Sequence, residues 1–108
     1  MNKCIFCKII KKEIPSKMIY EDERVVVFQD INPKAPVHFL IVPKNHIESI
    51  NSQGAEKICE DLIGTAKKIA ADKKIKGYKL VFNVGREGGQ LIDHLHLHFL
   101  SGKPMKLP

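Results

Sequence analysis

Three histidines near the end of the sequence, His94, His96 and His98, fall on alternate positions, and a leucine or phenylalanine follows each of them. Side chains alternate between the two faces of a β-strand, so a strand would place all three imidazoles on one face and the apolar residues on the other. A helix would instead separate successive imidazoles by roughly 200°. Near neutral pH an imidazole can donate, accept, attack an electrophile or bind a metal. The spacing therefore predicts a reaction or binding site on one face of a strand over residues 93–100.

A metal centre made of these three histidines alone is the main alternative, because imidazole is a common zinc ligand. Same-face neighbours on one strand lie roughly 6–7 Å apart, however, so three of them reach a single ion only if the strand is strongly distorted. We therefore expect the three histidines to have separate roles.

A glycine-rich loop, residues 85–90, directly precedes the histidine segment. Its glycines give backbone flexibility, its amide N–H groups can bind an anion, and Arg86 adds positive charge. An ordinary hairpin loop is the simpler interpretation of such a segment taken alone. Beside three aligned imidazoles a phosphate-binding loop is favoured, because a neutral histidine nitrogen can attack phosphorus and divide one difficult displacement into two easier steps.

The composition is that of one globular domain covering residues 1–108. A chain of 108 residues with 44% hydrophobic residues can bury a single core, and it contains no low-complexity segment. No apolar stretch is long enough to span a membrane, and the first residues lack the apolar core and cleavage site of a signal peptide. A cytoplasmic protein with no membrane association is the simplest expectation.

The chain is basic, with 18 lysines and arginines against 12 acidic residues and a formal net charge of +6. Such a charge suits either a nucleic acid or a small anionic substrate. Much of it lies in short lysine clusters typical of a solvated surface, and the sequence has no tryptophan and only two tyrosines for base stacking. A small nucleic-acid-binding protein is therefore the less favoured alternative.

Hydrophobic periodicity predicts two helices and five strands. The helices are expected at about residues 5–14, ended by Pro15, and at about residues 54–74, capped by Ser49 or Ser52. The strands are expected at residues 18–20, 24–29, 37–42 and 78–84 and in the histidine segment up to Leu100, followed by an irregular tail over residues 101–108. Strands joined mostly by short turns, with one long helix, predict an α+β fold in which helix covers an antiparallel sheet.

The three cysteines fall into two groups. Cys59 lies at helical spacing among apolar residues and is predicted to be a small core residue. Cys4 and Cys7 form a C-x-x-C pair with three interpretations: a redox pair, half of a zinc site, or two packed thiols. The redox interpretation usually requires a βαβ pattern, which is missing. A closed zinc site needs two more ligands, and sequence spacing does not supply them.

The segment H-L-H-L-H-F-L resembles the signature of the histidine triad (HIT) family. Three further blocks resemble the Hint branch of that family in the same order: I-F-C-K-I-I-K-K-E-I-P, V-F-Q-D-I-N-P-K-A-P-V-H-F-L-I-V-P-K-N-H-I and N-V-G-R-E-G-G-Q. The four blocks extend over nearly the whole chain. The resemblance implies a five-stranded antiparallel sheet with one long and one short helix, and a homodimer in which two such sheets join edge to edge.

The resemblance also implies catalytic roles. His96 matches the family's nucleophile, which attacks the α-phosphorus of a nucleotide and becomes nucleotidylated. His98 matches the histidine beside the phosphate and the leaving group, where it assists proton transfer. His38 matches the histidine that completes the imidazole network, and a purely structural hydrogen bond to the triad is the alternative for this residue.

The nucleotide would be held by residues from several segments. Asn83, Gly89 and Gln90 match the region near the phosphate and the scissile bond, and Asp30 matches the carboxylate that binds both ribose hydroxyls. The apolar nucleobase pocket is matched by Ile5, Phe6, Ile9, Phe28, Ile31 and Leu40. Without the resemblance, the sequence alone would assign these six residues to the core.

For the cysteine pair, the resemblance implies a structural zinc ion. Some HIT proteins with this pair bind zinc through it, through the histidine of the P-K-N-H segment and through the first triad histidine. These ligands are Cys4, Cys7, His46 and His94 in this sequence. Zinc at His94 would leave His96 and His98 for the phosphorus chemistry, which needs no other cofactor. A metal-free site with His94 bonded to the backbone is the alternative.

The implied function is hydrolysis or transfer of the nucleotidyl group of purine nucleoside phosphoramidates or related AMP conjugates. Hydrolysis of dinucleoside polyphosphates is the alternative within the same enzyme class. Leu91 stands where many Hint proteins have serine or threonine, and Leu107 stands near where some have tryptophan. A nucleotide-binding interaction module with little turnover is therefore a second class of interpretation.

Overall fold

A five-stranded antiparallel sheet forms the centre of the molecule. The computed structural model describes residues 4–103. Its helices are α1 (Ile5–Ile10) and α2 (Ala55–Asp72), and its strands are β1 (Met18–Glu21), β2 (Val25–Gln29), β3 (Val37–Pro43), β4 (Lys79–Val81) and β5 (Leu97–Ser101). The strand order is β1-β2-β3-β5-β4, and every neighbouring pair is antiparallel. The predicted α+β fold with one long and one short helix is confirmed.

Helices cover both faces of the sheet. Val25, Val27, Phe39 and Ile41 belong to the larger core with α2. The alternate residues of β2 and β3 pack on the other side in a smaller core with Phe6 and Ile9 of α1, namely Val26, Phe28, Leu40 and Val42. Burial on both faces explains why these two strands are continuous apolar runs rather than alternating ones.

The start of α2 differs from the prediction. Its N-cap is Gly54, at φ 82°, and no side chain caps the helix, so the predicted cap by Ser49 or Ser52 is wrong. Both serines are used in the turn before the helix, where the Ser49 N–H donates to the Ser52 hydroxyl. Glycine adopts this left-handed conformation at little cost, and the helix begins directly after it.

Two other elements are shorter than predicted. The short helix ends at Ile10, and Lys12 has a positive φ of 64°, so the residues up to 14 leave the helix before Pro15. The fourth strand covers only Lys79–Val81, because the residues after it enter the glycine-rich loop.

The histidine segment is only partly a strand. β5 begins at Leu97, so only His98 of the three histidines lies in the sheet. The alternation nevertheless holds before the strand begins, since Leu95 packs in the same core as Leu97 and Phe99. Here the backbone bonds to loops rather than to a neighbouring strand: the Leu95 N–H donates to the carbonyl of Ile47.

The remaining sequence expectations concern the tail and the membrane. Ser101 ends β5 instead of beginning an irregular tail. The rest of the predicted tail from residue 104 onward, including Leu107, lies outside the described residues. Within residues 4–103, neither helix combines the length and the apolar character that crossing a membrane requires.

Candidate active site and metal cluster

A cavity of about 640 Å³ opens on the α1 side of the sheet. It is lined by the three histidines predicted to be catalytic, His38, His96 and His98. It is also lined by every residue predicted to contact the nucleotide except Gln90, namely Ile5, Phe6, Ile9, Phe28, Asp30, Ile31, Leu40, Asn83 and Gly89. Residues from the two ends of the chain and from four strands thus meet at one concave surface, the usual form of a small-molecule site.

The sheet register sets two of the histidines side by side. His98 pairs with Leu40 of β3, and His38 pairs with Leu100 of β5. Paired residues of antiparallel strands point to the same face, so His38 and His98 occupy neighbouring rows on the cavity side. His38 Nε2 lies 2.9 Å from His98 Nδ1 and 3.4 Å from a carboxylate oxygen of Asp30. The three side chains form one connected polar group.

His96 is held by the backbone in the orientation of a nucleophile. Its Nδ1 lies 2.8 Å from the carbonyl oxygen of His94. A carbonyl only accepts, so Nδ1 carries the proton and Nε2 keeps its lone pair. The ring packs edge-on against Phe6, at 5.1 Å between centroids, and against His98, at 5.0 Å. A fixed neutral imidazole with an unprotonated Nε2 is the state required for attack on phosphorus.

The glycine-rich loop is closed by its own side chains. Gln90 is 3% exposed; its side-chain oxygen accepts from the Gly85 N–H, and its amide nitrogen donates to the carbonyls of Glu48 and Ile92. The cavity lining therefore lacks Gln90, which instead shapes the loop. Gly89 does line the cavity, at φ 89°, a conformation that favours glycine.

The predicted charge of Arg86 is also used within the loop. Its guanidinium donates to both oxygens of Asp93, at 2.8 and 2.9 Å, and to the Gln90 carbonyl. Arg86 is not among the residues that line the cavity. The expectation that it adds charge to an anion site is therefore wrong, because an acidic partner three residues beyond the loop binds it bidentately.

A second group of side chains, which are not among the residues that line the cavity, could hold a metal ion. The ligand atoms of Cys4, Cys7, His46 and His94 all lie within 4.8 Å of one another. The sulfur–nitrogen distances are 3.3 Å for Cys4–His94, 3.3 Å for Cys7–His46 and 3.6 Å for Cys7–His94. Tetrahedral zinc with ordinary bond lengths places sulfur and nitrogen ligands about 3.6 Å apart. The donor set and its spacing fit such an ion, and none of the three cysteines forms a disulfide.

The orientation of His94 also suits a ligand. Its Nε2 lies 2.9 Å from the carbonyl oxygen of Pro43, so Nε2 carries the proton and the Nδ1 lone pair faces the two sulfurs. A backbone carbonyl that fixes the tautomer of a ligating histidine is the usual outer partner of such sites.

Comparison with known proteins decides the family. The family model described as scavenger mRNA decapping enzyme C-term binding matches residues 3–107. The purine nucleoside phosphoramidase of Escherichia coli K12 is 44% identical over 108 residues, covering 96% of this chain and 91% of that protein. This chain belongs to the histidine triad family.

Solved structures of HIT proteins agree closely with this one. A HIT family hydrolase from Legionella pneumophila Philadelphia 1 superposes with a TM-score of 0.89 at 43% identity and covers 98% of each chain. A histidine triad protein from Clostridium difficile gives a TM-score of 0.92 at 41% identity, covering 100% of this chain and 99% of that one. The chain is accordingly an enzyme, a HIT-family hydrolase.

The HIT histidines are kept neutral by burial. Desolvation is the largest cause that lowers the pKa of His96, and the bond to the His94 carbonyl opposes it in part. Desolvation, together with the charges of His96 and His38, lowers the pKa of His98 to about 4. The pKa of His38 is lowered for the same first reason. At neutral pH these imidazoles therefore act through lone pairs and N–H groups rather than as cations.

Stability of the HIT domain should fall in mild acid. The pKa of His98 is lowered from 6.5 to about 4, so between these values the unfolded chain binds a proton that the folded chain does not. The free energy of unfolding is thus unaffected by His98 above about pH 6.5 and falls by up to roughly 3 kcal/mol as the pH drops to 4. Urea unfolding of the metal-loaded protein at pH 7 and 4.5 measures this loss, and His98→Gln, which does not titrate, should lose less.

Several HIT cavity residues were not predicted. Ile14, Pro15 and Ser16 follow the short helix, and Lys34 lies in the turn before β3. A further group could have been found from the sequence, because Lys79 and Val81 alternate with Asn83 and so share its face of the predicted strand. The residues in loops carry no such signal.

Proposed function

We propose that this HIT-family hydrolase cleaves purine nucleoside phosphoramidates or related AMP conjugates through a nucleotidyl group on His96. The observation that carries the proposal is the bond from His96 Nδ1 to the His94 carbonyl, which leaves the Nε2 lone pair available inside the cavity. The name of the Escherichia coli relative, purine nucleoside phosphoramidase, supports the same substrate class.

The reaction has two displacements at phosphorus. First, the lone pair of His96 Nε2 forms a bond to the α-phosphorus, and the bond to the leaving nitrogen breaks with its electron pair going to that nitrogen. Second, a water oxygen bonds to the phosphorus and the electron pair of the phosphorus–nitrogen bond returns to Nε2. The products are the amine, which has gained one proton, and AMP, which has gained the remaining hydroxyl of water.

The cavity offers a place for each part of the nucleotide. The apolar wall of Phe6, Ile9, Phe28 and Leu40 suits a purine base, and these side chains are 3–8% exposed. The Asp30 carboxylate also lines the cavity, 3.4 Å from His38 Nε2, and suits the ribose hydroxyls. The phosphate would then lie beside His96, close to Asn83 and Gly89.

One observation favours the nucleotide-binding module as second candidate. Leu91 is 80% exposed and lines the cavity at the position where the resemblance expects a hydroxyl. Without that hydrogen bond near the leaving group, nucleotide binding would be retained while turnover is reduced.

A panel of AMP conjugates tests the function and its alternatives. Steady hydrolysis of adenosine 5′-phosphoramidate supports the proposal, faster hydrolysis of diadenosine tetraphosphate supports the polyphosphate alternative, and AMP binding without turnover of any conjugate supports the binding module. Leu91→Thr should restore the hydroxyl and raise phosphoramidate turnover if that contact limits the rate. Any RNA binding should be challenged with AMP. RNA that AMP does not displace would identify a nucleic-acid-binding protein.

We also infer that the metal is zinc and that its role is structural. Two thiolates and two imidazoles with no open position are typical of a closed tetrahedral zinc site. The four ligands are not among the residues that line the cavity, so the chemistry at phosphorus is left to His38, His96 and His98. The cytoplasm, where thiols stay reduced, is the expected compartment and fits three cysteines that form no disulfide.

A homodimer formed edge to edge is the proposed assembly. The sheet has two edge strands, and Ile63 on α2 is 43% exposed. An open strand edge is an association hazard unless a specific partner covers it, and an exposed apolar side chain adds to that hazard. Sedimentation equilibrium at micromolar concentration should therefore give twice the chain mass. A particle of single-chain mass at that concentration would contradict the proposal.

A further inference from the structure

A backbone amide in the turn before β3 determines where His38 carries its proton. The N–H of Lys34 donates to His38 Nδ1 at 3.0 Å. A peptide N–H has no acceptor capacity, so Nδ1 must present a lone pair. His38 therefore carries its single proton on Nε2, whatever its surroundings on the other side of the ring.

The proton on His38 Nε2 in turn restricts where His98 can carry its own proton. His38 Nε2 lies nearer to His98 Nδ1, at 2.9 Å, than to the carboxylate oxygen of Asp30, at 3.4 Å. The N–H of His38 thus donates to His98 Nδ1, which must accept. A proton on His98 Nδ1 would face the N–H of His38, two donors at hydrogen-bond distance. His98 can then carry a proton only on Nε2.

We propose that the Lys34 amide is a positioning group that locks His98 in its neutral Nε2–H tautomer. His98 then acts as a fixed hydrogen-bond donor beside the reacting phosphorus rather than as a titrating acid. The catalytic role of this His98 donor rests on the proposed function, whereas the tautomer itself does not depend on any substrate. The low pKa of His98, about 4, agrees with a neutral ring at pH 7.

The proton of the leaving amine has a different source as a result. If His98 gave up its Nε2 proton, it could stay neutral only by taking the Nε2 proton of His38 onto its own Nδ1. His38 would then carry no proton, because its own Nδ1 already accepts from the Lys34 amide. The lock therefore keeps both protons in place. The nitrogen therefore takes its proton from solvent water as the P–N bond breaks, and the water that attacks the phosphorus in the second step returns one proton to solvent. The bond's electron pair then stays on that nitrogen, and a neutral amine departs.

The lock also separates two groups of possible metal ligands. Asp30, His38 and His98 place ligand atoms within 4.8 Å of one another, as the cysteine cluster does. His38, however, turns a protonated nitrogen toward Asp30 and His98, whereas the Pro43 carbonyl makes His94 turn a lone pair toward the sulfurs. A backbone donor thus keeps zinc from the catalytic group, and a backbone acceptor prepares the other group to receive it.

The first test uses the wild-type, zinc-loaded protein. The ¹⁵N chemical shifts of the imidazoles report which nitrogen is protonated, and we expect Nε2–H with an unprotonated Nδ1 in both His38 and His98 between pH 6 and 8. An Nδ1–H tautomer or an imidazolium at His98 in this range would overturn the proposal, with or without turnover. Correct tautomers in a protein that hydrolyses no AMP conjugate would instead count against the proposed function alone.

The second test removes the amide proton. Lys34→Pro deletes the N–H, and Lys34→Ala keeps it while removing the same side chain, so their ratio isolates the amide. We expect Lys34→Pro to turn over AMP conjugates roughly tenfold more slowly than Lys34→Ala, the effect of one ordinary hydrogen bond. His38 and His98 should show mixed tautomers only in the proline variant.

Inhibition by zinc provides a second measurement. It should not differ between the two variants if the Lys34 amide had only a structural role. With His38 free to move its proton to Nδ1, added zinc should inhibit Lys34→Pro at about tenfold lower concentration than Lys34→Ala, the affinity expected of one further ligand. Equal zinc sensitivity together with equal tautomers in the two variants would overturn the lock. If the proline variant does not fold, the wild-type shifts alone decide.

Discussion

Replacement of His96 by alanine should reduce turnover of AMP conjugates by roughly a thousandfold or more, as expected when one member of a catalytic unit is lost. No other described cavity side chain combines a lone pair fixed toward the cavity with a backbone bond that holds the opposite nitrogen. AMP should still bind, because Asp30 and the apolar wall remain. Turnover assays together with calorimetric AMP titration measure both effects.

Two further variants separate the covalent step from general damage. His96→Gly should be partly restored by added imidazole, which fits the space left by the ring. His98→Ala should be slower than the wild type but should still accumulate a nucleotidylated His96 from a substrate with a good leaving group, detectable by intact mass spectrometry. Near-normal turnover in His96→Ala would end the covalent mechanism and its assignment of roles.

Loss of the metal should have the second largest effect, and on stability rather than chemistry. We expect about one zinc ion per chain, and its removal or the substitution Cys7→Ala should lower Tm by roughly 10 °C or more. The cysteines flank Phe6, which packs on Phe28, His94 and His96, so a bound ion would tie the α1 side of the cavity to the sheet. Elemental analysis and thermal unfolding measure content and effect.

Cys59 provides a matched control for this experiment. It is a buried cysteine in the α2 core, away from the four ligands. Cys59→Ala should retain one zinc per chain and lower Tm far less than Cys7→Ala does. Metal removal should lower the free energy of unfolding by a large fraction. It should lower the pseudo-first-order rate constant of His96, measured below the unfolding temperature of the metal-free protein, by a smaller fraction. A protein purified with ample zinc that contains none would refute the site.

Local patterns predicted the strands that are buried on both faces and the long helix α2, because these elements depend on near neighbours in sequence. They placed β5 too early, because His94 and His96 bond through their side chains to the carbonyls of Pro43 and His94, contacts that periodicity does not report. They also misplaced Arg86, whose partner Asp93 was visible in the sequence but whose pairing depends on how the loop closes.

The six predicted base-pocket residues show why core and binding wall are hard to tell apart. Phe6, Ile9, Phe28 and Leu40 are buried in the smaller core and also line the cavity, so both interpretations describe them. Ile31, at 85% exposed, and Ile5, at 42%, line the cavity without being core residues. Apolar character alone does not distinguish these cases, and the resemblance supplied what periodicity could not. Their contacts with a nucleotide stay predictions.

His94 takes part in both the candidate metal cluster and the candidate active site. Its side chain belongs to the metal cluster, while its carbonyl orients His96. The Pro43 carbonyl holds the same side chain independently of any ion. A descendant lineage could therefore lose Cys4 and Cys7 one at a time and keep the nucleophile aligned, provided that new packing restored the stability. A metal bound there would in this sense be dispensable to the proposed chemistry over evolutionary time, whereas the strand end that carries Pro43 would not.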